Sequence, residues 1–138
     1  MNLAVLGADE LVVSFCRKAV ADGWQIEWVA DLDAESAREF SQFAPGIRAD
    51  PNWEAALDPA LADAVVVGPA CTGEEETLDR LKRLVADGIA TVASFPVSTS
   101  VLPHYELDML RQEAGGPLLM LAPSAPSTLE PIQSWLAD

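Results

Sequence analysis

A chain of 138 residues, half of them hydrophobic and with four tryptophans, has the material for one real core and does not read as disordered. Its formal charge of -14, from 22 acidic against 8 basic residues, disfavours nucleic acid and anionic membranes as partners, because phosphates recruit basic patches. Two cysteines, Cys16 and Cys71, supply neither a disulfide framework nor a metal spacing, so no metal site is expected. No segment reads as a signal peptide or a bilayer span, and a cytoplasmic location is the default expectation.

Short apolar runs alternate with segments of helical period along the whole chain, the pattern of a parallel sheet with crossover helices. A strand over residues 2–6 is followed by a helix on which Leu11, Phe15 and Ala19 recur every four residues until Gly23 ends it. The strand from Gln25 to Ala30 ends in Asp31, and Ala37, Phe40 and Ala44 mark a second helix stopped by Pro45-Gly46. A short strand near Ile47 to Ala49 leads through Asp50-Pro51-Asn52 to a brief helix carrying Trp53, Ala56 and Leu57. The clearest buried strand is Ala64 to Val67, broken by Gly68-Pro69. Its helix sets Leu78, Leu81 and Val85 on one face, with Glu74, Glu75 and Glu76 in the first turn and Lys82 and Arg83 later, charges that suit the helix dipole. A strand from Ala90 to Ala93 precedes Ser94-Phe95-Pro96; Leu102, Tyr105 and Met109 mark the next helix, closed by Gly115-Gly116. A strand from Leu118 to Leu121 and a helix with Leu129, Ile132, Trp135 and Leu136 finish the chain. The expectation is one three-layer α/β/α domain over residues 1–138, with a doubly wound parallel sheet in strand order 3-2-1-4-5-6. The loops after Gly7, Asp31, Pro69 and Ser94 then cluster at one sheet edge.

The first strand hands over to Gly7 as in a dinucleotide-binding fold, but the second and third glycine places of GxGxxG hold Asp9 and Val12. The second glycine normally lets the backbone approach a pyrophosphate, and the third lets helix and strand pack closely. Asp9 places a carboxylate where helix N-terminal amides would meet a doubly charged ligand. Asp31 stands 24 residues beyond Gly7, near the spacing at which an acid grips an adenosine ribose, and with no Arg or Lys directly after it NAD is preferred over NADP. Asp31-Leu32-Asp33 reads equally as a turn and helix cap.

The ordered set of turns resembles the N-terminal domain of the Gfo/Idh/MocA oxidoreductases along essentially the whole chain. Asp63 to Pro69 is similar to that family's strand ending in Thr-Pro or a similar pair, and Ala86 to Pro96 is similar to its AGKHVLCEKP stretch. The resemblance implies a Rossmann-like fold and NAD(P) binding, with Gly7, Ala8, Asp9, Asp31, Pro69, Ala70, Ser94, Phe95 and Pro96 at the cofactor positions. It also implies lost chemistry. The EKP lysine falls on Phe95 and its glutamate on Ser94, and phenylalanine can donate neither a proton nor a charge-assisted hydrogen bond. The family's second domain, which carries most of the substrate pocket, is expected to be absent. No catalytic residue is assigned; the single histidine, His104, reads as a solvated side chain near a helix start.

The remaining features have bland readings that outweigh the functional ones. The Glu74 to Glu76 run is explained by helix-start stabilisation. Cys71 lies at the functional edge without a nearby base, Cys16 reads as core, and Trp24 and Trp28 read as packing residues. Three function classes stay open: a catalytically silent relative with weak NAD affinity; a structural or regulatory protein-interaction module; and an oxidoreductase that is cut short or completed by another chain. Uncovered sheet edges predict a homodimer, with Trp135 or Leu136 as buried candidates.

Overall fold

The computed structural model describes residues 2–45, 47–49, 62–71, 73–94, 101–114 and 117–121. Its elements are β1 (Asn2–Leu6), α1 (Glu10–Ala21), β2 (Gln25–Ala30), α2 (Ala34–Phe43), β3 (Arg48–Ala49), β4 (Ala64–Val67), α3 (Glu74–Ala86), β5 (Thr91–Ser94), α4 (Val101–Ala114) and β6 (Leu118–Leu121). They build a six-stranded sheet of order β3-β2-β1-β4-β5-β6, parallel at every pairing. This is the expected doubly wound order. The chain winds outward from β1 to β3, returns to β4 on the other side of β1, and so creates a switch point between β1 and β4, where open α/β sheets bind ligands. The expected helices around Trp53 to Leu57 and Leu129 to Leu136, the Gly115-Gly116 stop and the Phe95-Pro96 pair lie outside the described residues.

The alternation of side chains along each strand divides the core in two. Leu3 and Val5 of β1 and Ala64 and Val66 of β4 pack with Val12, Cys16 and Phe40 from α1 and α2. Ala4, Leu6, Val65 and Val67 face the opposite way, onto Leu81, Leu84 and Leu107 from α3 and α4. A register shift between Leu3 and Ala4 pairs them with Ile26 and Trp28, leaving Glu27 as an extra residue. That bulge moves Trp28 to the α3/α4 face, whereas Ile26 packs on the α1/α2 side.

One face assignment differs from the periodicity of the sequence. Leu102, Tyr105 and Met109, which mark α4, are 62%, 61% and 46% exposed, whereas Leu107 is 1% exposed and Leu110 packs beside it. Two apolar stripes run along this helix at helical spacing. The α3/α4 core takes the one carrying Leu107 and Leu110, and the 2.7 Å Lys82–Glu106 salt bridge ties that rotation to α3.

Trp28 is fully buried, yet among the described residues no acceptor reaches its Nε1. A buried donor without a partner costs about 1–3 kcal/mol. Removing it offsets most of the packing lost in Trp28→Phe, so that variant is expected within about 1 kcal/mol of the native stability in urea denaturation, against about 3 kcal/mol or more for Phe40→Ala. Equal losses in the two variants would refute this account of Trp28.

Candidate functional site

At the switch point two loops cross at backbone contact. Gly7 has φ +69, and a Cβ there would stand 2.6 Å from the Pro69 carbonyl oxygen. A Cβ on Gly68 would stand 2.7 Å from Ala8 Cα. Hydrogen bonds from Gly7 N to Ala30 O and from Gly68 N to Leu6 O, at 2.9 and 2.8 Å, hold the crossing in register. The first fingerprint glycine therefore keeps its conformational role, and Gly68 supplies the close approach from the other side.

Asp9 occupies the start of α1. Its backbone is extended, it is the N-cap residue, and Oδ1 accepts from Val12 N at 3.0 Å. The Ser94 hydroxyl donates to Oδ2 at 2.5 Å. The amides and dipole that would meet a phosphate thus meet a carboxylate of the chain itself. Val12, at the third fingerprint glycine, is fully buried and packs in the α1/α2 core. It has become a core side chain, and a glycine there would leave a hole.

Asp31 and Asp33 divide the two roles read for that turn. Asp33 caps α2, accepting from Ser36 N at 2.7 Å, and this hydrogen bond lowers its pKa. Asp31 sits at φ +57, a left-handed backbone uncommon outside glycine. Its Oδ2 accepts from Arg80 Nη1 at 2.9 Å and from Cys71 N at 3.0 Å. Arg80 is 5% exposed and also pairs with Glu76 at 3.2 Å. Partial burial works against the Asp31 charge, but the Arg80 and Cys71 hydrogen bonds and the Arg80 charge outweigh it and hold its carboxyl below the ordinary range.

The β4–α3 loop is pinned by Thr77, whose hydroxyl accepts from Ala70 N at 2.8 Å and donates to Gly73 O at 3.2 Å. Beside this loop opens a cleft of about 410 Å³ lined by Ala8, Asp9, Pro69 and Ala70, together with Cys71, Val13 and the acids Glu10, Asp33, Glu35 and Glu39. Of the expected site residues, the structure brings together Gly7, Ala8, Asp9, Pro69, Ala70 and Ser94. Asp31 points to α3 and does not line the cleft. Phe95 and Pro96 lie outside the described residues, as does the side chain of His104. Among the described residues no group of acids, histidines or cysteines could hold a metal ion. Arg80 was missed by sequence reasoning, although it stands three residues after buried Thr77 and four before buried Leu84, on the inward face of α3, where an arginine needs an acidic partner.

The cysteines are poor nucleophiles. Burial drives the Cys16 thiol far up. Cys71 is exposed, but partial desolvation, its hydrogen bond to Asp31 and the charges of Asp31 and Asp33 raise its pKa too.

The Asp31 pairing makes stability depend on pH. A carboxyl whose pKa is depressed on folding contributes stability that is complete above its unfolded pKa of about 4 and is lost as pH falls through the lower folded value. The melting-temperature gap between native protein and Asp31→Asn, whose amide tolerates the left-handed backbone, is expected to be constant at neutral pH and to shrink below about pH 4. A gap that persists undiminished into acid would show that the Arg80 pairing is not its source.

No protein-family model matches this sequence, and no curated protein sequence matches it. Solved structures do. UDP-N-acetylglucosamine 3-dehydrogenase GnnA from Acidithiobacillus ferrooxidans superposes with a TM-score of 0.65 at 23% identity, over 87% of this chain and 37% of its own. Biliverdin reductase from Synechocystis, solved with biliverdin and NADP+, gives 0.65 at 17% identity over 86% and 37%. The WlbA dehydrogenase from Chromobacterium violaceum, solved with NADH and a UDP-sugar, gives 0.66 at 17% identity over 88% and 34%. The chain spans little more than a third of the length of these proteins. Its fold is the doubly wound, Rossmann-like fold shared with oxidoreductases of the Gfo/Idh/MocA type.

Proposed function

We propose that this chain is a dinucleotide-binding-type domain that is catalytically silent by itself and binds NAD(P) weakly or not at all. The observation that carries the reading is the Asp9 carboxylate, which caps α1 where a pyrophosphate would have to sit. A phosphate arriving there would meet Asp9 and Glu10 at close range, in a cleft whose further charged side chains, among the described residues, are acidic. At about 4 Å and an effective dielectric near 20, one such repulsion is on the order of 4 kcal/mol before screening, enough to erase much of a micromolar affinity. The lysine that the resemblance places at the nicotinamide end is Phe95, which leaves no proton donor at that position. A weak preference for NAD over NADP follows from the acids around the cleft.

Calorimetric titration with NADH tests the reading. No saturable binding in the low micromolar range is expected from the native protein, and a gain is expected from Asp9→Gly, since glycine costs an N-cap only a few tenths of a kcal/mol. Low-micromolar binding by the native protein would overturn it. Val12 is left intact because of its place in the core.

A second reading, a protein-interaction module, is favoured by the exposed stripe of Leu102, Tyr105 and Met109 on α4. Contiguous apolar surface of this kind marks interfaces more often than free surface. Under this reading the protein is a homodimer, and light scattering is expected to give twice the chain mass, reverting to monomer in Leu102→Glu, Met109→Glu. A native protein that stays monomeric at high concentration would refute self-association. An oxidoreductase completed by another chain is a third reading, supported by the share of its structural neighbours that this chain spans.

A further inference from the structure

The ion pair between Asp31 and Arg80 joins two elements on opposite sides of the switch point. Asp31 leaves the end of β2 in the left-handed conformation, and Arg80 reaches it from the inward face of α3 with its side chain 6% exposed. Both donors, Arg80 Nη1 and Cys71 N, converge on one carboxylate oxygen, Oδ2. Cys71 and Asp33 line the cleft, but Asp31 does not. An acid at the end of the second strand is the group that accepts a ribose hydroxyl in dinucleotide folds. Here Oδ2 of that acid is engaged from inside the protein.

We infer that Arg80 is an internal latch on Asp31, an autoinhibitory contact that withholds the ribose acceptor from the cleft by holding it against α3. The inference rests on the reading of the cleft as a degenerate dinucleotide site, but it concerns a different lock from Asp9. Asp9 opposes phosphate. The latch opposes the nucleoside, whatever phosphate it carries. Glu76 strengthens the latch by binding the second guanidinium nitrogen at 3.2 Å, and the Cys71 amide fixes the carboxylate from the loop side. For the carboxylate to swing from α3 into the cleft and take a ribose there, it must exchange a charge-assisted hydrogen bond to a nearly buried guanidinium for one to a neutral hydroxyl, which is roughly half as strong. That exchange is unfavourable, so the pair stays closed.

Adenosine is the probe that separates the two locks, because it carries no phosphate and is indifferent to Asp9. Binding is read by ligand-observed NMR and calorimetry for native protein, Arg80→Met, Asp31→Asn and the double variant, each checked for a native melting transition. The native protein is expected to show no saturation by about 1 mM adenosine, and Arg80→Met is expected to gain at least about tenfold in affinity. The gain is expected to vanish in Arg80→Met, Asp31→Asn, since the freed carboxylate is its source. A folded Arg80→Met that gains nothing, a gain that survives loss of the Asp31 charge, or adenosine binding by the native protein each overturns the latch. If Arg80→Met does not fold, Arg80→Lys, which keeps a charge for Glu76 but loses the forked reach to Oδ2, decides by the same outcomes. NADH binding distinguishes failures: a failed latch with NADH still excluded leaves the Asp9 reading standing, and low-micromolar NADH binding by the native protein defeats that reading whatever adenosine does.

Discussion

The backbone crossing of Gly7-Ala8 with Gly68-Pro69 is the constraint on which the site depends. No Cβ fits on either glycine without reaching within 2.8 Å of the opposite backbone. This closeness is set by neighbouring parallel strands, β1 and β4, ending together at the switch point. Once the crossing is made, α1 must begin within reach of the loop after β4 and of Ser94 at the end of β5. The place where a ligand would lie is then defined by the fold before any functional side chain is considered.

What fills that place is the chain's own charge. The α1 N-terminus has unsatisfied amides and a positive dipole end, and some anion or polar group must meet them. In a cofactor-binding domain a ligand can do this. Here Asp9 does so permanently, and Ser94 completes its hydrogen bonding. Asp31 follows the same logic one strand away, with Arg80 and the Cys71 amide as its partners. Both carboxylates make their hydrogen bonds through groups that the proposed function assigns to a dinucleotide. Under that proposal, the stability of the fold and its affinity for a dinucleotide are opposed at these two residues.

The net charge of -14 acts in the same direction over a longer range. Among the described residues, five acids and no basic side chain line the cleft beside Ala8. Surface salt bridges such as Arg17–Glu39 at 3.9 Å are exposed and do little to change this field. An anionic ligand approaching the sheet edge is therefore opposed both at distance and on contact.

The sequence by itself determined the parallel order of strands, the helix boundaries and the clustering of the four loops, because each follows from local pattern: period-2 and helical runs, glycine stops, and the right-handed crossover rule. It also put Asp9 at the second glycine place of the GxGxxG pattern that begins at Gly7. Only the tertiary structure decided what Asp9 and Asp31 do there. The partner of Asp31 is Arg80, 49 residues away, and nothing local ties an acid at the end of β2 to an arginine on α3. Nor could periodicity choose between the two apolar stripes of α4, since both have helical spacing and the rotation is settled by packing against α3 and by the Lys82–Glu106 pair. Trp28 makes the same point from within the core: alternation alone would leave it on the face of Ile26, and the bulge at Glu27, formed only when β2 pairs with β1, carries it to the other.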